Sequence, residues 1–168
     1  MSELRTEARK SRELGVGQRF AIGALSEASA VRRIGDGLPM GVSDIGLMGA
    51  YRHWPRNFGT EGLKSESLDE LFFLDGDTVR CTGTAVRGLL SSQTLTGASS
   101  LGEALLRWML PPHVDRLTAH LDAGCLLIWI PINAPEQECV ICLGLLRNSR
   151  NAVQIHDFEV TSENHIAN

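Results

Sequence analysis

Continuous apolar runs and amphipathic stretches alternate twice along this chain, once near its start and once near its end. The later instance is the stronger: Cys125 to Ile130 (CLLIWI) is apolar at every position, the pattern of a central strand covered on its faces, with Pro131 expected to end it. Asn133 followed by Glu136 has the spacing of a capping box, and Pro135 suits a first helical turn. Cys139, Cys142, Leu143 and Leu146 then recur at i, i+3, i+4 and i+7, which predicts an amphipathic helix buried along that stripe. After a polar turn at Arg147 to Asn151, Ala152 to Val160 reads as a closing strand, and a change of face near His156 and Asp157 suggests a bulge.

The earlier instance follows the same plan. Gln18 to Leu25 (QRFAIGAL) reads as a strand, Ser26 can cap a helix, and Val31, Ile34 and Leu38 share one helical face before Gly37, Leu38 and Pro39 end it. Within Gly41 to Tyr51 the chain returns to strand character after a turn-prone Gly-Val-Ser-Asp stretch. Two strand-helix-strand units predict an α+β fold built on a split β-α-β, ferredoxin-like sheet, with Phe20 to Leu25 and Cys125 to Ile130 as its middle strands. Right-handed crossovers then place both helices on one face.

Between the halves lies a hairpin and helical insert. Leu71 to Leu74, Asp75-Gly76 and Asp77 to Thr82 form a hairpin signal, since Asp-Gly tolerates the positive φ angles of a tight turn. Ser100 and Glu103 form a second capping box before a helix with Leu101, Leu105, Trp108 and Met109 on one side, which Pro111 and Pro112 should break. A further helix carries Val114, Leu117 and Leu121 on one stripe, with Gly124 as its stop. The expected organisation is one domain over 17–161, made of halves 17–51 and 113–161 around an insert at 52–112. Residues 1–16 form a charged tail or short helix, and 162–168 a C-terminal tail.

Composition narrows the function classes. The 168 residues suit one domain with a real core, and 43% hydrophobic with 21% charged residues is ordinary for a globular protein. A net charge of -4 argues against binding nucleic acid through a broad basic face. The opening residues alternate charges with no apolar leader, and Cys125 to Ile132 falls far short of a bilayer span. Four isolated or closely paired cysteines without a secretory signal are expected to be reduced thiols, which fits a cytoplasmic protein.

Three segments carry candidate chemistry. Tyr51 to Phe58 (YRHWPRNF) interleaves cations with aromatics, so Arg52, His53, Trp54 and Arg56 are the candidate ligand-binding residues. The competing reading has Trp54 and Phe58 anchoring the exit of a strand while the arginines are solvated. Cys139-Val-Ile-Cys142 has the spacing of a redox pair or half a metal site, but both positions fall on the expected buried stripe, which favours packing. Leu71 to Val79 (LFFLDGDTV) resembles the Asp-x-Asp signature of haloacid-dehalogenase-type phosphatases over nine residues, yet no Lys follows Leu71 to neutralise a phosphoryl group. The five histidines show no metal-ligand spacing, and the common hydrolase, P-loop and dinucleotide motifs are missing, so no catalytic residue, metal or cofactor is expected.

The segments FAIGALSEASAVRRIGDGLPMGVSDIGLM and VDRLTAHLDAGCLLIWIPINAPEQECVICLGLLRNSRNAVQIHDF together resemble the bacterial general stress protein 17M-like domain family. That resemblance implies two similar halves around a variable middle and a stress-related role, and it implies no catalytic residues. The glycine-zipper middle of the family is missing from 51–98. The expectation is therefore a non-enzymatic accessory or regulatory protein acting by self-association, as a homo-oligomer, or on a protein partner. The alternative is a small-ligand or thiol-redox module.

Overall fold

Seven successive residues, Leu126–Ile132, are all buried, so this strand, β5, must be covered above, below and on both sides. The computed structural model describes residues 18–27, 29–53, 69–74, 77–95, 97–149 and 153–158, with 69–74, 77, 94 and 95 as backbone. The other strands are β1 (Gln18–Leu25), β2 (Gly46–Ala50), β3 (Asp69–Leu74), β4 (Asp77–Cys81) and β6 (Gln154–Phe158). The helices are α1 (Ser29–Asp36), α2 (Thr84–Leu95), α3 (Leu101–Leu105), α4 (Pro111–Asp122) and α5 (Pro135–Asn148), with a 3-10 turn at Tyr51–His53. The strands form one sheet in the order β3-β4-β2-β5-β1-β6, and every neighbouring pair is antiparallel. The fold is α+β.

Side-chain alternation splits the interior into two layers. Phe20 and Ile22 of β1, Met48 of β2 and Leu127 and Trp129 of β5 point to one face, where α2, α3 and α4 cover them with residues such as Leu90, Leu105 and Leu117. Ala21, Leu47, Ile128 and Ile130 point to the other face, beneath Ile34 of α1 and Ile141 and Leu145 of α5. Helices α1 and α5 thus share a face, and the helices between the two halves occupy the opposite one.

Several elements depart from the sequence expectations. Pro131 does not end β5: the strand runs on to Ile132 and Pro131 sits opposite Phe20 of β1. The β2 ladder has already stopped at Trp129, so on that flank the missing N–H deprives no partner. Pro111 opens α4 at its first turn instead of breaking a helix. No bulge interrupts β6, whose register against β1 is continuous from Gln154 to Phe158. The bulge lies between Glu70 and Phe72 of β3.

The start and the buried stripe of α5 also differ. Its N-cap is Ala134, and the Gln137 side chain accepts from the Asn133 N–H at 3.2 Å, so Asn133 and Glu136 form no capping box. Ile141 and Leu145 are the buried pair, whereas Leu143 and Leu146 are 48% and 53% exposed. The reason lies across the interface. Gly23 of β1 leaves a hollow in which Leu145 sits, a Cβ there coming within 3.2 Å of Leu145 Cδ2. Two polar contacts then hold the rotation of the helix: Arg19 to Glu138 at 2.9 Å on one side and Arg33 to Asn148 at 3.1 Å on the other. Arg19 also grips Asp157 of β6 through two bonds, and this pairing raises the affinity of its guanidinium for its proton.

Other expectations hold. The Ser100 cap of α3 is formed, with Ser100 Oγ accepting from the Glu103 N–H at 3.1 Å, while the reciprocal Glu103 carboxylate accepts from the N–H of Ser99, one residue before the N-cap. Ser100→Ala should therefore cost about 1 kcal/mol, read as a lowered urea midpoint. The stripe of Val114, Leu117 and Leu121 is the buried face of α4, and Gly124 follows it with a positive φ.

Where β4 leads into α2, the chain makes a close backbone crossing over β2. Gly83 has φ +94, and a Cβ on it would stand 2.7 Å from the Cα of Gly46. Around this crossing Thr82 pairs twice with Leu47: its N–H donates to the Leu47 carbonyl at 2.9 Å, and its Oγ1 accepts from the Leu47 N–H at 3.1 Å. Asp44, itself at φ 60, places its carboxylate on the first two amides of α2, Thr84 at 2.6 Å and Ala85 at 2.9 Å. A negative group there satisfies orphan donors and complements the helix dipole.

Candidate functional site

Of the four residues singled out for ligand binding, Arg52 and His53 lie in the 3-10 turn after β2, while Trp54 and Arg56 fall outside the described residues. Arg52 Nη2 donates to Asp122 Oδ1 at 2.8 Å, and its Nε donates to His53 Nε2 at 3.2 Å. Asp122 ends α4, where a carboxylate opposes the helix dipole, so Arg52 offsets an unfavourable charge. His53 lies over Gly124, within 3.5 Å of where a Cβ there would stand. Beside them the Arg80 guanidinium sits 4.4 Å from the centre of the Tyr51 ring. Arg52 and His53 thus bind the chain itself at the corner where α4 turns into β5, an arrangement that braces the corner.

Cys139 and Cys142 stand one turn apart on α5. Cys139 is exposed and Cys142 half-buried, so neither packs in the core as the expected stripe required. Burial pushes the Cys142 thiol up, and the nearby charges of Glu138 and Cys139 push it the same way. Less thiolate at neutral pH makes a poorer nucleophile and a poorer metal ligand. Among the described residues no cluster of three or more His, Cys, Asp or Glu side chains could hold a metal ion. In the phosphatase-like segment, Asp77 opens β4 opposite Leu74 of β3 in an antiparallel hairpin, and Asp75 lies outside the described residues.

Two features escaped the sequence reading. The first is the outer face of α5, where Val140, Leu143 and Leu146 are 45%, 48% and 53% exposed at i, i+3 and i+6. Because α5 is apolar nearly all the way round from Val140 to Leu146, its sequence offered two stripes, and only packing against Gly23 chose between them. The second is a ring cluster where α4 meets the β6 edge. Phe158 contacts Phe20, Trp108 and Trp129 with ring centres 4.9 to 5.6 Å apart. Beyond it His156 of β6 meets His113 of α4 edge to face, with ring centres 5.2 Å apart. The histidines are too far apart in sequence for any spacing rule to join them.

Among the described residues no helix is long and apolar enough to cross a membrane. Comparison of the chain with family models, curated proteins and solved structures found no match to any of them.

Proposed function

We propose that this chain is a non-enzymatic accessory or regulatory protein that pairs with a second copy of itself through the outer face of α5. The observation that carries this reading is the exposed ridge of Val140, Leu143 and Leu146 in a molecule whose sheet is already covered by helices on both faces. Exposed apolar surface of this kind marks a contact region. Its spacing suits a two-fold axis. Val140 and Leu146 lie three residues either side of Leu143, so an antiparallel α5 pair sets Leu143 on its own copy and Val140 against Leu146. Charge follows the same symmetry, because the acidic first turn, with Glu136, then lies beside the basic last turn, with Arg147. A stress-related role, implied by the sequence resemblance, forms part of the same proposal.

The underlying architecture belongs to this proposal as well. We read β1-α1-β2 and β5-α5-β6 as a split β-α-β unit that the β3-β4 hairpin widens beyond β2. Its support is the antiparallel pairing of β5 with β1 and β2, together with the shared face of α1 and α5.

Light scattering coupled to size-exclusion chromatography tests the association. The unaltered chain should run at twice its monomer mass, and Leu143→Glu should weaken the pairing by about 100-fold or more, since a residue on the two-fold axis is lost from both copies. Leu110→Glu, at an exposed leucine elsewhere, should leave the mass unchanged. A monomeric unaltered chain at tens of micromolar, or a Leu143→Glu variant that stays paired, refutes the reading.

A further inference from the structure

The contact between His113 and His156 joins two layers of the molecule. His113 belongs to α4, in the helical layer over the first face, and His156 to β6, the strand at the sheet edge. His156 Nε2 is 2.7 Å from Gln154 Oε1, an uncharged acceptor for an Nε2–H. His113 Nδ1 is buried without a hydrogen-bond partner among the described residues. Were both rings to gain a second proton, two cations would stand with centres 5.2 Å apart in a half-buried contact.

The surrounding charges relieve this only in part. On β6 the adjacent carboxylate, Asp157, alternates to the opposite face, where Arg19 of β1 holds it by two bonds and also contacts Glu138 of α5. On β1 the residue paired with His156 is the apolar Phe20. Asp115 and Arg116 on α4 and Arg107 just before it are exposed. Burial lowers the affinity of His156 for a proton, His113 lowers it further, and Asp157 offsets this in part.

We propose that the His113–His156 contact is a proton-operated latch that holds α4 against the β6 edge at neutral pH and releases it in mild acid. The sign follows from the direction of the shift. A histidine kept neutral by the fold contributes fully above its unfolded value, about 6.5. That contribution is lost as the pH falls toward the lower folded value. Release acts first on what lies beside the pair, the tilted ring contact of Trp108 with Phe158 at 4.9 Å. The latch acts at the opposite layer of the sheet from α5, so its test is independent of self-association.

The experiment is a pH titration of tryptophan emission on the full chain carrying Trp54→Phe, so that Trp108 and Trp129 report. Lowering the pH from about 8 to about 5 should give a reversible red shift with a midpoint below the ordinary histidine value of about 6.5, while far-UV circular dichroism stays constant. His156→Gln should abolish that shift. His113→Phe, which keeps a ring in the contact but carries no proton, should abolish it too and serves if the first variant fails to fold. The latch is refuted by a flat titration, by a shift that tracks loss of far-UV signal, or by a shift of undiminished size in a folded variant.

Discussion

Gly83→Ala is expected to lower the free energy of unfolding by about 3–5 kcal/mol, seen as a large fall in urea midpoint at nearly constant slope. Two costs combine. At φ +94 an L side chain is strained by about 1–2 kcal/mol. Its Cβ would also stand 2.7 Å from Gly46 Cα, 3.1 Å from Gly46 N and 3.2 Å from the Ile45 carbonyl oxygen. All three neighbours are backbone, so no rotamer change makes room. Strand β2 must move away, which pulls on both bonds between Thr82 and Leu47. Gly88→Ala provides the contrast. That glycine is in α2 with nothing within 4 Å of a new Cβ, so the substitution should stabilise by about 0.5–1 kcal/mol. A midpoint for Gly83→Ala close to that of the unaltered chain would show that the crossing is looser than the distances require.

The second large effect concerns Trp129, fully buried at the middle of the sheet. Truncation to alanine should cost about 3–5 kcal/mol, from lost apolar contact and the cavity that remains. The site cannot collapse easily, because Phe20 at 5.6 Å and Phe158 at 5.5 Å are themselves held by strand pairing on either side of β1. Trp129→Phe should be much milder, about 1.5 kcal/mol or less. The indole N–H has no hydrogen-bond partner among the described residues, so phenylalanine removes a buried donor together with the lost ring area. Thermal or urea unfolding of the two variants checks the ratio. Equal losses would mean that the indole N–H is satisfied or that the cluster repacks.

Parts of the fold governed by local chemistry were legible from residue order. The Ser100 cap of α3, the stripe of α4 with Gly124 after it, and the apolar run of β5 each announce themselves within a few positions, and the structure has all three. Where two local solutions had similar merit, distant residues decided. Helix α5 could bury Leu143 and Leu146 or Ile141 and Leu145, and the space over Gly23 with the tethers to Arg19 and Arg33 selected the latter. The bulge expected in β6 came from the change of face between Ile155 and Phe158, which simple alternation produces in a regular strand whose two faces are both apolar in part. The candidate site was less legible than the fold. Its exposed ridge exists only because α5 turned the other way, and the histidine pair exists only once α4 lies over the sheet edge.

The pairing order also bears on how the molecule can be made. Strands β1 and β2 do not touch each other as neighbours in the sheet; β5 lies between them. As the chain leaves the ribosome, β2 can find β4 within the same stretch, but β1 has neither of its partners until residues after Gly124 have been synthesised. Phe20, Ile22 and Leu25 must wait without their final cover through most of translation, an interval in which chaperone contact or self-adhesion of the nascent chain has its best opportunity.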